Sequence, residues 1–174
     1  MKYMFASDVH GSAYYCRKML DVYKEEKAER LVLLGDLLYH GPRNDLPREY
    51  APKQVISMLN DMKKEIYAVR GNCEAEVDQM VLQFPVMADY CILNLDGRTF
   101  YATHGHIYNE NNLPPIQEGD ILIHGHTHVL KAEQKEGYVL LNPGSVSIPK
   151  EGNPPTYAIF EDGMFTIKDF EGNI

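Results

Sequence analysis

Apolar residues fall along this chain in short dense runs, and the spacing inside the runs changes midway. Residues 2–7 read as a short strand. Ser12 is placed to cap a helix whose apolar stripe, Cys16, Met19, Leu20 and Tyr23, recurs every three or four residues. Leu31-Val32-Leu33-Leu34 is a continuous apolar run, the pattern of a strand covered on both faces. Beyond a Pro-rich loop, Val55, Met58, Leu59 and Met62 mark a second amphipathic helix. Residues 66–69 read as the next buried strand, and a short helix is expected from about Glu74. From residue 91 the helical period is gone. Residues 91–95 and 99–103 flank Asp96-Gly97, a hairpin-turn signal. Residues 121–123 form another buried run; residues 131–134 and 138–141 flank a turn near Gly137, and 157–160 and 165–169 flank Asp162-Gly163. Residues 171–174 are expected to fray.

An α/β half is thus followed by a β-rich half with no linker, internal repeat or low-complexity segment between them. Two packed sheets with helices on the outer faces would bury all of these runs. The 174 residues are expected to form one domain, 1–174, large enough to bury roughly 70% of the unfolded chain's surface. A net charge of −8 disfavours a nucleic-acid polymer or an anionic membrane as partner, because both select clustered Lys and Arg. No apolar stretch approaches the ~18 residues of a membrane span, and no signal-length hydrophobic segment precedes Asp8. Cys16, Cys73 and Cys91 are odd in number and form no CxxC pair, so a reducing, cytoplasmic compartment is expected.

The chemistry is carried by five fragments that each follow an apolar run: Asp8-Val9-His10, Gly35-Asp36, Gly71-Asn72, His104-Gly105 and Gly125-His126-Thr127-His128. In an extended backbone, Asp8 and His10 would project to one side, as would His126 and His128. Asp36 follows a glycine that permits a tight backbone, and its two oxygens can bridge two cations. Taken alone, Asp8 also reads as a turn carboxylate, Asp36 as a helix cap and Asn72 as a turn residue. Three histidines in comparable places, two of them beside Gly, are harder to explain structurally. Mixed imidazole and carboxylate donors suit Mn, Fe, Zn, Co or Ni better than Ca or Mg. The absence of a thiolate cluster argues against a structural zinc site.

The order D-x-H, G-D, G-N-x-[DE], H-G, G-H-x-H resembles the calcineurin-like metallophosphoesterase superfamily along nearly the whole chain. His40-Gly41-Pro42-Arg43-Asn44, Arg70-Gly71-Asn72-Cys73 and Asn142-Pro143-Gly144-Ser145-Val146-Ser147 resemble its compact bacterial YfcE-type phosphodiesterases. The resemblance implies a four-layer αββα sandwich, two mixed β-sheets packed face to face with helices on the outer faces. It implies one metal on Asp8, His10 and His128, a second on Asn72, His104 and His126, and Asp36 bridging them. Mn²⁺ is the activator it suggests, with Zn²⁺, Fe²⁺, Ni²⁺ and Co²⁺ as the other divalent ions to consider. Two such cations lower the pKa of a bridging water, whose hydroxide would attack phosphorus in line with the leaving oxygen.

Cys73 departs from the wider superfamily pattern, in which many members carry a His that contacts the substrate and helps protonate the leaving group. A thiol is a weak donor, so the expected enzyme favours small soluble diesters with good leaving groups; alternatively Cys73 only fills space. The loop from Tyr39 to Pro52 is long, and Arg43 and Asn44 on it are candidate substrate contacts. Asp45 or Glu49 could instead occupy Arg43, and His40 reads equally as a substrate contact or a surface residue. No role is legible for His106, and His124 is read as structural. The competing readings are a phosphomonoesterase, a cyclic-nucleotide phosphodiesterase and an interaction scaffold of the vacuolar sorting 29 type. A homo-oligomer is compatible with the chain, which displays no legible interface.

Overall fold

A computed structural model describes residues 1–173. The alternating half comprises β1 (Tyr3–Ala6), α1 (Ala13–Glu25), β2 (Arg30–Leu33), α2 (Pro52–Asp61), β3 (Ile66–Ala68) and α3 (Glu76–Val81). The β-rich half comprises β4 (Tyr90–Leu95), β5 (Arg98–Thr103), β6 (Asp120–Ile123), β7 (Lys131–Gln134), β8 (Tyr138–Asn142), β9 (Thr156–Glu161) and β10 (Met164–Asp169). Ser12 caps α1, its side chain accepting from Tyr15 N at 3.2 Å. Pro52 opens α2, where its missing N–H costs nothing. The helix expected at Glu74 begins two residues later, because Glu74 is drawn inward for another purpose described below.

One sheet has the order β10-β9-β1-β2-β3 and the other β4-β5-β6-β8-β7. In the first, β1, β2 and β3 run parallel and β9 and β10 antiparallel to their neighbours. In the second, β5, β6 and β8 run parallel, with β4 and β7 antiparallel on the edges. Asp96-Gly97 and Asp162-Gly163 join hairpins with positive φ at both residues, as a two-residue turn that matches strand twist requires.

Strand alternation sorts side chains into layers. Met4, Ala6, Leu31, Leu33, Tyr157 and Ile159 meet Cys16, Met19, Leu20, Tyr23, Val55 and Leu59 of the helices. Their neighbours Tyr3, Phe5, Val32, Ala158 and Phe160 meet Phe100, Ala102, Ile121 and Ile123 between the sheets. Phe100 stacks on Phe5 at 5.7 Å and meets Phe160 edge-on at 4.8 Å, filling the middle of that layer. The α/β arrangement of two facing mixed sheets is the expected one. Its fourth layer differs in kind: Leu122, Tyr138 and Leu140 on the outer face of the second sheet pack with Tyr101 and with Ile116 of the β5–β6 loop, not with a helix. No helix among the described residues is long and apolar enough to cross a membrane.

At the carboxyl terminus, Asp169 accepts from the backbone N–H groups of Glu171 and Asn173, both at 2.9 Å. These bonds join residues 171–173 to the end of β10. Ile174, the last residue of the segment expected to fray, lies outside the described residues.

Candidate metal centre

The loops leaving β1, β2, β3, β5 and β6 meet at one rim of the sandwich, and they carry all seven expected ligands. Strand pairing therefore brings together residues as distant as Asp8 and His128. The Asn142-to-Ser147 segment braces this rim. Asn142 Nδ2 donates to Gly125 O and to Thr127 Oγ1, each at 3.0 Å, while Ser145 Oγ and Ser147 Oγ donate to the carbonyls of Asp8 and Val9 at 2.8 and 2.7 Å.

Asp8, His10, Asp36, His126 and His128 all have positive φ, between 50° and 68°. The expectation of an extended backbone at Asp8-Val9-His10 and His126-Thr127-His128 is thus corrected: the shared direction of these side chains comes from left-handed residues at each end of the triplets. Such a conformation costs a non-glycine residue about 1–2 kcal/mol, and its concentration here marks a functional rim.

Two clusters result. Asp8 Oδ1 lies 3.2 Å from His128 Nε2 and 3.5 Å from His10 Nε2, and those two nitrogens are 3.2 Å apart. Asn72 Oδ1 lies 3.0 Å from His104 Nε2 and 2.9 Å from His126 Nδ1, themselves separated by 3.2 Å. Asp36 Oδ2 stands between the clusters, 3.7 Å from His10 Nε2 and 3.3 Å from His104 Nε2. Its other oxygen accepts from Cys73 N at 2.9 Å, which fixes the carboxylate plane.

The donor set fits a pair of cations. Nδ1 of His10, His104 and His128 each meets a backbone carbonyl, of Tyr39, Leu34 and Ile148, at 2.6 to 2.8 Å. A carbonyl can only accept, so these Nδ1 atoms carry the proton and each Nε2 presents a lone pair. His10 and His128 therefore point lone pairs at each other across 3.2 Å, beside a carboxylate. Buried Asp8 Oδ1 has no hydrogen-bond partner, although Oδ2 of the same group accepts from Ser7 Oγ and His126 N. Facing acceptors of this kind repel unless a positive charge lies between them. With no cation bound, burial would lower the His104 imidazole, but Asp8, Asp36 and the Leu34 carbonyl outweigh it and raise it to about 9, so a metal there would take the place of a proton on Nε2. Burial would likewise raise the Asp8 carboxyl, which the imidazoles of His104, His10 and His128 hold well below the usual carboxylate range.

Glu74, the acidic position of the G-N-x-[DE] pattern, reads in the sequence only as a helix start and has another role. Fully enclosed, it accepts from the N–H groups of Asp36, Leu37 and Gly71 at 2.8, 2.7 and 2.6 Å, joining the β2 and β3 loops. Burial, reinforced by Asp36, lifts its carboxyl to about 7 against these hydrogen bonds. The signal available was an acidic residue two beyond Asn72 that lacked a helix-capping partner. Gly71 packs so closely that a Cβ there would collide with Asp36 Oδ1 and approach Asp36 N to 2.6 Å.

Above the ligands lies an open pocket of about 270 Å³. Arg43, Asn44 and Cys73 line it as expected, together with Thr127 and Lys150, which sequence reasoning passed over. His40 does not: its ring packs against those of Tyr39 and Tyr50, and only its carbonyl engages the loop, accepting from Asn44 Nδ2 at 2.9 Å. Burial, with the Asp36 charge beside it, pushes the Cys73 thiol far up. His106 lies against the rings of His104 and His126, with both ring nitrogens buried and unpartnered; burial, followed by the His104 charge, lowers it to about 4. His124 is buried beneath the site and does not line the pocket.

Residues 1–162 match the calcineurin-like phosphoesterase superfamily domain. The chain is 46% identical over 167 residues to the phosphodiesterase YfcE of Escherichia coli K12, spanning 96% of this chain and 91% of that protein. A solved structure of YfcE, a phosphoesterase from E. coli, superposes with a TM-score of 0.96 at 45% identity, covering 98% of this chain and 93% of that one. The vacuolar protein sorting 29 of Cryptosporidium parvum shares the fold, with a TM-score of 0.61 at 17% identity over 95% of this chain and 94% of that chain.

Proposed function

This chain belongs to the calcineurin-like phosphoesterase superfamily, and from that premise we propose that it is a metal-dependent phosphodiesterase, a single cytoplasmic domain acting on small soluble diesters. The observation that carries the reading is the pair of opposed imidazole lone pairs beside a buried, unpartnered carboxylate oxygen. Asp8, His10 and His128 would hold one divalent cation and Asn72, His104 and His126 the other, with Asp36 shared between them. Mn²⁺ is the proposed ion, and Zn²⁺, Fe²⁺, Ni²⁺ or Co²⁺ would meet the same donors. The free state of Cys16, Cys73 and Cys91 supports a reducing compartment.

Bound there, the cations would supply Lewis acidity to the phosphate oxygens and to a water nucleophile. The chain's own residues do the rest. Backbone carbonyls hold three imidazoles in one tautomer, so their ligating nitrogens are preset. The Cys73 N–H and the Glu74 clamp keep Asp36 from rotating as charge develops. Arg43 and Asn44 contact the phosphate oxygens from the pocket wall. The small volume and the net charge of −8 favour a small substrate over a polymer.

Hydrolysis of a diester releases an alcohol that must be protonated as it leaves. The Cys73 thiol is a weak acid made weaker by burial and by Asp36, so little proton donation comes from this position. The enzyme therefore favours leaving groups that are stable as anions. The test is a Mn²⁺-dependent panel: bis(p-nitrophenyl) phosphate should be hydrolysed and alkyl monoesters left nearly untouched, with Cys73→His widening the range. Activity without metal, or a spectrum unmoved by Cys73→His, would sink the respective part. A phosphomonoesterase or cyclic-nucleotide activity would declare itself in the same panel, and a scaffold by the absence of both metal binding and hydrolysis.

A further inference from the structure

The pocket holds more positive charge than a simple diester uses. Besides the ligands, its walls carry two cations, Arg43 and Lys150, and Asp36 is the only carboxylate among the lining residues. Neither Arg43 nor Lys150 has a carboxylate within ion-pair distance among the described residues, although the chain contains 25 acidic residues against 17 Lys and Arg. In an acidic protein, two unneutralised cations on one pocket indicate selection for anions at that place.

The two cations are carried by different loops. The Gly41-to-Asn44 turn that bears Arg43 closes over Cys73, with a Cβ at Gly41 coming 3.6 Å from Cys73 Sγ, and that thiol stands between the two clusters, within 4.8 Å of His10 and Asp36 ligand atoms and 3.6 Å from Asn72 Nδ2. Lys150 belongs beside His128. Its N–H donates to His128 O at 3.1 Å, while His128 Nδ1 donates to Ile148 O at 2.7 Å, so residues 148–150 wrap this histidine. The Lys150 carbonyl in turn accepts from Asn153 N and Nδ2, at 3.2 and 2.9 Å, which fixes the turn carrying the lysine. The backbone is thus held on both sides, and the ammonium is left free at the pocket edge.

A phosphodiester carries one negative charge, on the phosphate that lies over the metal ligands, and its two ester arms leave in opposite directions. Arg43 is engaged by the phosphate itself, so an arm running past His128 meets Lys150, which no carboxylate neutralises. We propose that Lys150 is a specificity residue that recognises a second anionic group on one ester arm, so the substrate class is small phosphodiesters bearing a further phosphate or carboxylate. This rests on the phosphodiesterase reading above and narrows it.

The test uses a matched pair, thymidine 5′-(p-nitrophenyl phosphate) with and without a 3′-phosphate, on the Mn²⁺-loaded protein. The 3′-phosphorylated member should show a KM lower by about fivefold, the value of one partly exposed ion pair. That preference should erode with added salt. Lys150→Ala should bring the KM ratio of the pair to near one, Lys150→Glu should invert it, and Lys150→Arg should restore it. Independently of turnover, calorimetry should show wild type binding thymidine 3′,5′-bisphosphate more tightly than thymidine 5′-phosphate, and Lys150→Ala losing the difference. A 3′-O-succinyl analogue separates carboxylate from phosphate as the favoured anion. Hydrolysis of both members with equal KM, or a preference that survives in Lys150→Ala, overturns the proposal and leaves the phosphodiesterase reading intact. Failure to hydrolyse either member overturns that reading itself.

Discussion

Removing the metals should loosen the two sheets from each other, because the ligand set is divided between them. Asp8, His10, Asp36 and Asn72 follow β1, β2 and β3 of the first sheet; His104, His126 and His128 follow β5 and β6 of the second. Below this rim the sheets meet through apolar contacts such as Phe5 with Phe100, so cations bound at the rim would be a cross-link between layers. A ligand that binds only the folded state stabilises by RT ln(1 + [L]/Kd), about 2.7 kcal/mol per ion at a hundredfold excess over Kd. For a chain of 174 residues, each kcal/mol moves Tm by about 2–4 °C, so saturating Mn²⁺ should raise Tm by about 5 °C for one ion and up to about 20 °C for two. Differential scanning calorimetry of EDTA-treated and Mn²⁺-saturated protein measures the shift, and His126→Ala should recover part of it. Amide hydrogen exchange checks the cause. Mn²⁺ should protect the loops after β2 and β6 together, since one ion holds both. Protection confined to the loops of one sheet, or a Tm indifferent to metal whose binding is independently measured, would refute the reasoning.

Phe100→Ala removes a fully buried ring from the middle of the inter-sheet layer and should cost about 3–5 kcal/mol in urea unfolding. Gly71→Ala should weaken Mn²⁺ binding by about 10- to 100-fold in calorimetry, since the new methyl displaces Asp36; unchanged affinity would mean Asp36 is not held by that contact. Burial would raise the Glu26 carboxyl, but Lys168 at 2.8 Å, Tyr157 at 2.9 Å and Lys2 at 3.4 Å outweigh it and lower it. Because the folded value lies below the unfolded one, the stability is present above an unfolded pKa of about 4.3 and is lost as pH falls through the folded value. Glu26→Gln should therefore destabilise by about 1–3 kcal/mol at neutral pH, with the gap to wild type closing in acid.

What the sequence made legible follows from how local each determinant is. Asp96-Gly97 and Asp162-Gly163 announce their hairpins because two neighbouring residues set the turn, and the four-residue run at Leu31 announces a strand because burial on both faces needs nothing else. The convergence of the candidate ligands on one rim was legible, since each follows a strand in a recognisable order. The backbone that aims them was not, because left-handed residues at Asp8 and His128 are imposed by neighbours such as Ser145 and Ile148 far along the chain. Glu74 was misread for a similar reason: its acidic character and position suit a helix start, and only tertiary structure supplies the three N–H groups that draw it inward. His40 shares a loop with Arg43, yet Tyr39 and Tyr50 claim its ring. Lys150 lies outside every ligand fragment and is tied to the site only through His128.

Five left-handed residues at the metal rim also set the direction in which such a fold drifts when its chemistry is no longer selected. At each of these positions a glycine would relieve backbone strain, so the substitutions that abolish metal binding are among those the metal-free fold tolerates best. Backbone strain and metal binding are opposed at these positions, while the apolar layers beneath the rim do not depend on either. A lineage can therefore shed catalysis without unfolding, and a sandwich of this kind can outlive its own reaction as a binding platform. This chain carries Asp, His, Asp, His and His at all five strained positions, the set its chemistry needs and its backbone alone would not favour.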